Sequence, residues 1–232
     1  MSDRIVRSSH IRFFLILYIQ LFPITAPMSE FKTLEDYLPT TEIYVLDTET
    51  TGLKGAPVDL VVDIGIVKVD LKKGSVIKVY DSVVGYDITE WDDYLSNAWI
   101  FTHTDMTLEM VADAPSAVKV IGDVRHILRG KNVTSYNIQY DMGKFLYKEP
   151  WNLRGTFNEC KDIMLAAKDV CKLPSMYIGG DYRYPKLDYA YETIVEGDPA
   201  GIHGNQDHRA YSDAIVASYV MIQMYRDGTY VP

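Results

Sequence analysis

Cysteine is scarce in these 232 residues: Cys160 and Cys171 are the only two. Two thiols cannot complete a tetrahedral zinc site or a disulfide framework. They could pair with each other, but nothing around them marks them for it, and they read as free thiols of a reducing compartment. Positive charge is also in short supply, with 23 Lys and Arg against 32 Asp and Glu and a formal net charge of −9. A chain this acidic has no broad cationic face for holding a polyanion, so contact with nucleic acid requires local cations or bound metal ions. No apolar run reaches the roughly 20 residues that span a bilayer as a helix. Internal repeats, low-complexity tracts and interior linkers are missing too. The remaining composition, 47% hydrophobic and 12% aromatic, is that of one compact domain, and it excludes a disordered or collagen-like chain.

Residues 1–27 stand apart. Arg4, Arg7 and Arg12 precede the apolar stretch RFFLILYIQLFPITAP, the charged-then-apolar order of a secretory signal. Its uninterrupted part, Phe13 to Ile19, is short, Gln20 and Pro23 weaken it, and a second start-like Met28-Ser29-Glu30 follows. Three readings stay open: a non-native upstream extension, a signal or membrane-surface segment, and a packed helix. The folded domain is expected over 28–232, in the cytoplasm unless the leading segment directs export, with no stable membrane span.

Beyond it, Glu42 to Asp47 is a short β-rich run ending in an acid. Leu60 to Leu71 and Ser75 to Val84 are Val/Ile-rich and separated by Lys72-Lys73-Gly74, which reads as a hairpin turn. A helix should follow, with Asp113 as N-cap, Pro115 in its first turn, and Ala117, Ile121, Val124 and Leu128 at helical spacing until Arg129-Gly130. A strand near Asn132 to Tyr136 leads to a helix from about Tyr140, and a strand-helix pair spans Asn158 to Val170. Gly179-Gly180-Asp181 marks a loop, Lys186 to Val195 looks helical, Gly197 to Asp207 is a polar loop, and a last helix runs from about Arg209 to Tyr225. Three leading strands and then alternating strands and helices predict an α/β layer structure with a mixed central sheet.

Chemistry enters through acids. Two-residue alternation puts Asp47 and Glu49 on one side of a strand end, where like charges raise each other's cost of ionisation unless a cation lies between them. Taken alone, the pair also fits a solvated strand end. Asp213 shares a helical stripe with Ala210, Ala217, Val220 and Met224; that stripe should face the core, where a carboxylate needs an Arg, a helix N-terminus or a metal. Asp141 follows a strand and suits helix capping as readily as catalysis. His208, five residues before Asp213, is a proton acceptor near working pH or an exposed helix-start residue. In combination, four hard oxygen donors and one base suit Mg²⁺ or Mn²⁺ rather than zinc. Such a set can hold two ions about 3.5–4 Å apart, an arrangement used in phosphodiester cleavage.

This constellation resembles the DEDDh group of DnaQ-like 3′–5′ exonucleases, in the ribonuclease H-like superfamily. DTETTGL at 47–53 is similar to their first motif, SYNIQYD at 135–141 to the second, and HRAYSDA at 208–214 to the third. The second is looser, with Tyr136 where His is common and Tyr140 where Phe is common. VVDIGIV at 61–67, MTLEMVADAPS at 106–116 and KDIMLAAK at 161–168 are weaker echoes. The resemblance implies a ribonuclease H-like fold of three antiparallel leading strands and then parallel strands, flanked by helices. It implies two divalent ions, with Asp47 bridging both, Glu49 and Asp213 completing one, Asp141 holding the other and His208 as general base. Thr51, Gly52 and Leu53 lie where relatives contact the terminal sugar and wedge the last base; Thr107 and Asn137 are lesser candidates for lining the groove. Tyr136 and Tyr140 are either base-stacking or buried. Implied partners are single-stranded nucleic acid or its 3′ ends, with a DNA polymerase or a second copy of the chain left open. A non-catalytic nucleic-acid-binding or polymerase-associated module that keeps this fold is the rival reading.

Overall fold

A computed structural model describes residues 41–201 and 208–232, so the expectations for 1–27, and most of those for the Gly197–Asp207 loop, lie outside the described residues. In chain order the strands are β1 (Glu42–Thr50), β2 (Val61–Asp70) and β3 (Ser75–Val83). The helices α1 (Asp93–Ser96), α2 (Trp99–His103), α3 (Leu108–Asp113) and α4 (Ala117–Leu128) follow. Next come β4 (Asn132–Ser135), a helix with widened π-type turns, α5 (Gln139–Leu146), and β5 (Asn158–Glu159). The helices α6 (Ile163–Cys171), α7 (Leu187–Ile194) and α8 (Ala210–Arg226) complete the order.

The strands form one sheet in the order β3-β2-β1-β4-β5, antiparallel across β3-β2-β1 and parallel from β1 outward to β4 and β5. Alternation along β1 sorts its side chains between two layers. Ile43 and Val45 face α6, α7 and α8, in a core completed by Val67, Val69, Tyr191, Val220 and Met224. Tyr44 and Leu46 face the other way, onto Val124 and Leu128 of α4 and Met142 and Phe145 of α5. The odd-numbered face of β1 is therefore the α8 face. The Lys72-Lys73-Gly74 turn is present, with Gly74 at φ +68°, a conformation that glycine adopts without steric cost.

The helix expected from Asp113 begins later. Asp113 is the last residue of α3, and the hydroxyl of Ser116 caps α4 by accepting from the Lys119 amide at 3.4 Å. Two acceptors three residues apart compete for one start, and the preceding helical turn occupies the first. Cys160 and Cys171 are separate free thiols. Among the described residues, no helix is long and apolar enough to cross a membrane.

Candidate active site

The site lies where β1 ends. Asp47 and Glu49 continue the face of Ile43 and Val45 and so point toward α8, which contributes Asp213 from its first turn. One ligand oxygen from each of the three carboxylates lies within 4.8 Å of the others. Two features of β2 bring the helix this close. Asp47 pairs across the sheet with Gly65, and a Cβ on Gly65 would come within 2.3 Å of the Tyr211 backbone. Only a residue without a side chain lets the start of α8 rest on the strand. Glu49 pairs with Asp63, a fully buried carboxylate gripped by Arg209 Nε at 2.7 Å and Nη2 at 3.3 Å and by the Ala210 amide at 3.2 Å. This ion pair anchors the first turn of α8, and with it Asp213.

Thr48, between the two acids in sequence, points to the opposite face. Its hydroxyl donates to Asp141 Oδ1 at 2.7 Å, fixing the carboxylate of α5 at the same strand end. Asp141 is buried and adds to the repulsion felt by Asp47 and Glu49, but it stands outside the three-acid group. Its approach from the other layer accounts for the separation.

Electrostatically the cluster is under pressure. Burial, then Asp141, Asp213, Glu49 and Asp63, hold the Asp47 carboxyl well above its ordinary range. Burial, Asp213, Asp63 and Asp141 push Glu49 up to about 9, with only Arg209 pulling it down. Burial takes Asp141 to about 6 against the Thr48 hydrogen bond. A divalent cation reverses this logic, since it favours all the ionised forms at once. Hard oxygen donors at this spacing fit such an ion.

His208 immediately precedes Arg209 and adopts φ +49°, a left-handed conformation that side chains other than glycine rarely take. Its ring packs edge-on against Trp99 at 5.7 Å, and Trp99 stacks in turn on His103 at 5.0 Å. The histidine is not part of the ligand group.

The residues expected at the substrate fall into three kinds. Leu53 is 74% exposed, and its carbonyl accepts from Lys144 Nζ at 2.6 Å. Gly52 is crowded, for a Cβ there would meet Asp59 Oδ1 at 2.5 Å and the Tyr94 hydroxyl at 2.9 Å. Thr51 is buried, with its amide donating to the Leu60 carbonyl and its hydroxyl accepting from the Leu60 amide. Asn137 and Thr107 both make local hydrogen bonds at helix starts: Asn137 Oδ1, two residues before α5, accepts from the Tyr140 amide at 3.2 Å, and Thr107 caps α3 by accepting from the Met110 amide at 3.2 Å. Of the two tyrosines, Tyr136 is buried and donates to the Pro185 and Lys186 carbonyls, so it cannot stack on a base. Tyr140 is half-buried, bonded to Thr50 Oγ1 at 2.6 Å and the Gly52 carbonyl at 3.0 Å, and burial pushes its hydroxyl up to about 12.

Several residues escaped the sequence reading. Asp63, Arg209 and Gly65 place α8, and Trp99 braces His208. Asp59, fully buried, accepts from the Lys54 and Gly55 amides and the Tyr94 hydroxyl and shapes the loop that presents Leu53. Asp63 and Gly65 lie within VVDIGIV and Arg209 within HRAYSDA, so the resemblance flagged their segments without disclosing their roles.

A mixed five-stranded sheet whose central strand sets two carboxylates against a third from the last helix defines a ribonuclease H-like α/β scaffold. Residues 44–221 match the family model described as Exonuclease, and the chain belongs to that family. A segment of the DNA polymerase III PolC-type of Bacillus subtilis (strain 168) is 27% identical over 189 residues, covering 81% of this chain and 12% of that protein. A full-length 3′-exonuclease superposes with a TM-score of 0.60 at 18% identity, over 84% of this chain and 63% of that one. The nuclease domain of 3′hExo, a DEDDh family member bound to rAMP, gives 0.56 at 16% identity, over 83% and 95%. The chain thus spans about an eighth of the polymerase and under two thirds of the full-length 3′-exonuclease.

Proposed function

We propose that the protein is a metal-dependent 3′–5′ exonuclease that releases nucleoside 5′-monophosphates from single-stranded DNA or RNA. The observation that carries this reading is the convergence of Asp47, Glu49 and Asp213 within 4.8 Å, in a chain of the exonuclease family. The rAMP bound to the 3′hExo nuclease domain supports the mononucleotide product. The polymerase segment supports a polymerase as a protein partner.

Asp47, Glu49 and Asp213 would hold one ion, and Asp141 with Asp47 a second. Bound Mg²⁺ or Mn²⁺ makes water acidic enough to attack at neutral pH and offsets charge on the phosphate. Asp47 and Glu49, set by strand alternation, fix the site to the rigid sheet. Asp213 closes it from α8, on a helix end that Asp63 and Arg209 hold in place. His208, braced by Trp99, takes the proton of the attacking water. Leu53 packs against the last base, and the Gly52 backbone, held against Asp59 and Tyr94, lies beside the terminal sugar. Thr51, Asn137 and Thr107 shape the groove by closing turns and helix starts.

The test is hydrolysis of 5′-labelled single-stranded oligonucleotides with Mg²⁺ or Mn²⁺. A ladder shortening from the 3′ end that stops with EDTA is expected. Asp47→Ala should abolish it, and His208→Ala should slow it on the order of 10²–10⁴-fold. Full activity in purified Asp47→Ala would end this reading.

A further inference from the structure

The loop Lys172–Lys186, between α6 and α7, carries the sequence KLPSMYIGGDYRYPK. It is the most apolar exposed segment among the described residues: Tyr177 is 80% exposed, and Met176, Ile178, Tyr182 and Tyr184 also face solvent. A loop displaying so much ring surface to water is explained by a ligand that covers the rings. The backbone is well tied. Leu173 bridges to Arg183, Arg183 Nε donates to the Pro174 carbonyl at 2.9 Å, and the Gly180 amide closes a turn onto Tyr177 at 3.1 Å. The rings are thus held on a fixed frame.

Charge selects the ligand. In a chain of net charge −9, this segment carries Lys172, Arg183 and Lys186 against the single acid Asp181. Asp181 is itself neutralised by Lys168 at 2.6 Å. Three exposed cations interleaved with three exposed tyrosines match a polyanion that presents flat rings, and they disfavour a basic or purely apolar surface. The end of the loop is also joined to the catalytic side of the fold. Its Pro185 and Lys186 carbonyls accept from Tyr136, five residues before Asp141.

We infer that this loop is a second contact for single-stranded nucleic acid: its tyrosines stack on unpaired bases and its lysines meet the phosphates of the same strand, upstream of the end being cleaved. The inference rests on the nuclease reading for its direction along the strand. Its binding chemistry stands without that reading.

The experiment uses the full chain and oligodeoxythymidylates of about 20 and about 4 nucleotides, long enough and too short to reach a distant stacking platform. Anisotropy of the labelled long strand is measured in EDTA, where hydrolysis cannot intervene. Serine at Tyr177, Tyr182 and Tyr184 together should weaken binding by about 10-fold or more, while phenylalanine at all three keeps it, because a ring face suffices for stacking. With Mn²⁺, the serine variant should raise KM for the long strand only, leaving kcat and the short strand unchanged. Lys172→Glu with Lys186→Glu should flatten the salt dependence of long-strand binding. Equal long-strand affinity and KM in wild type and serine variant would overturn the inference and assign the patch to a protein partner. Tyrosine-dependent binding in a protein that hydrolyses neither strand would support the loop and sink the nuclease reading instead.

Discussion

Glu49→Gln offers the most direct test of the pressure within the acid cluster. Burial, with Asp213, Asp63 and Asp141 beside it, pushes the Glu49 carboxyl from an ordinary value of 4.5 up to about 9. A raised folded value means that the protonated form is the comfortable one. Below about pH 4.5 the folded and unfolded chains are both protonated and burial carries no charge penalty. As pH rises from there toward 9, the unfolded carboxyl ionises freely and the folded one cannot follow, so stability falls. At about pH 7 the gap of about 2.5 pH units corresponds to on the order of 3 kcal/mol. Glutamine is neutral throughout and removes that cost, which for a domain of this size raises the melting temperature by several degrees, roughly 2–4 °C per kcal/mol. Thermal melts in EDTA should show Glu49→Gln above wild type at about pH 7, with the difference shrinking toward about pH 5. Added Mn²⁺ should raise wild type well above its EDTA value and the variant by less, because one ligand charge is gone. Superimposable melts of wild type and variant in EDTA at both pH values would refute the claim that these acids repel one another in a buried site.

Other perturbations probe how the site is built. Gly65→Ala puts a methyl group into the Tyr211 backbone; it should destabilise by about 1–3 kcal/mol in urea melts and depress Mn²⁺ affinity by displacing α8. Arg209→Ala leaves Asp63 buried without its cation, and a loss of about 3–5 kcal/mol is expected by chemical denaturation. Asp59→Ala frees two loop amides and the Tyr94 hydroxyl; limited proteolysis should then cut near Leu53 and Lys54 faster than in wild type.

The sheet and its acids were legible because period-two alternation is a local signal. Ile43, Val45, Asp47 and Glu49 share one face whatever the rest of the chain does, and the stripe through Ala210, Asp213, Ala217 and Val220 faces the core for the same kind of reason. The stretch between β3 and α4 was not legible. There the helices are four to six residues long, set by caps such as Asp92 and Thr107 rather than by periodicity, which needs several turns to register. The joints of the site were hidden too. Glycine in a strand announces only that something comes close, and Gly65 gives no hint that the something is α8. Asp63 and Arg209 are 146 positions apart, and no local pattern links them. Tyr136 had two readings in the sequence, and only its buried hydroxyl contacts decided between them.

The pairing of an early strand with a late helix also governs when the acid cluster comes into being. While the polypeptide is still emerging from the ribosome, Asp47 and Glu49 are present from the outset but have no counterpart until Arg209 and Asp213 have been made. Contacts this remote along the chain form late and slowly. A nascent or prematurely terminated product therefore displays only part of the acid cluster, which is completed when α8 settles onto Gly65.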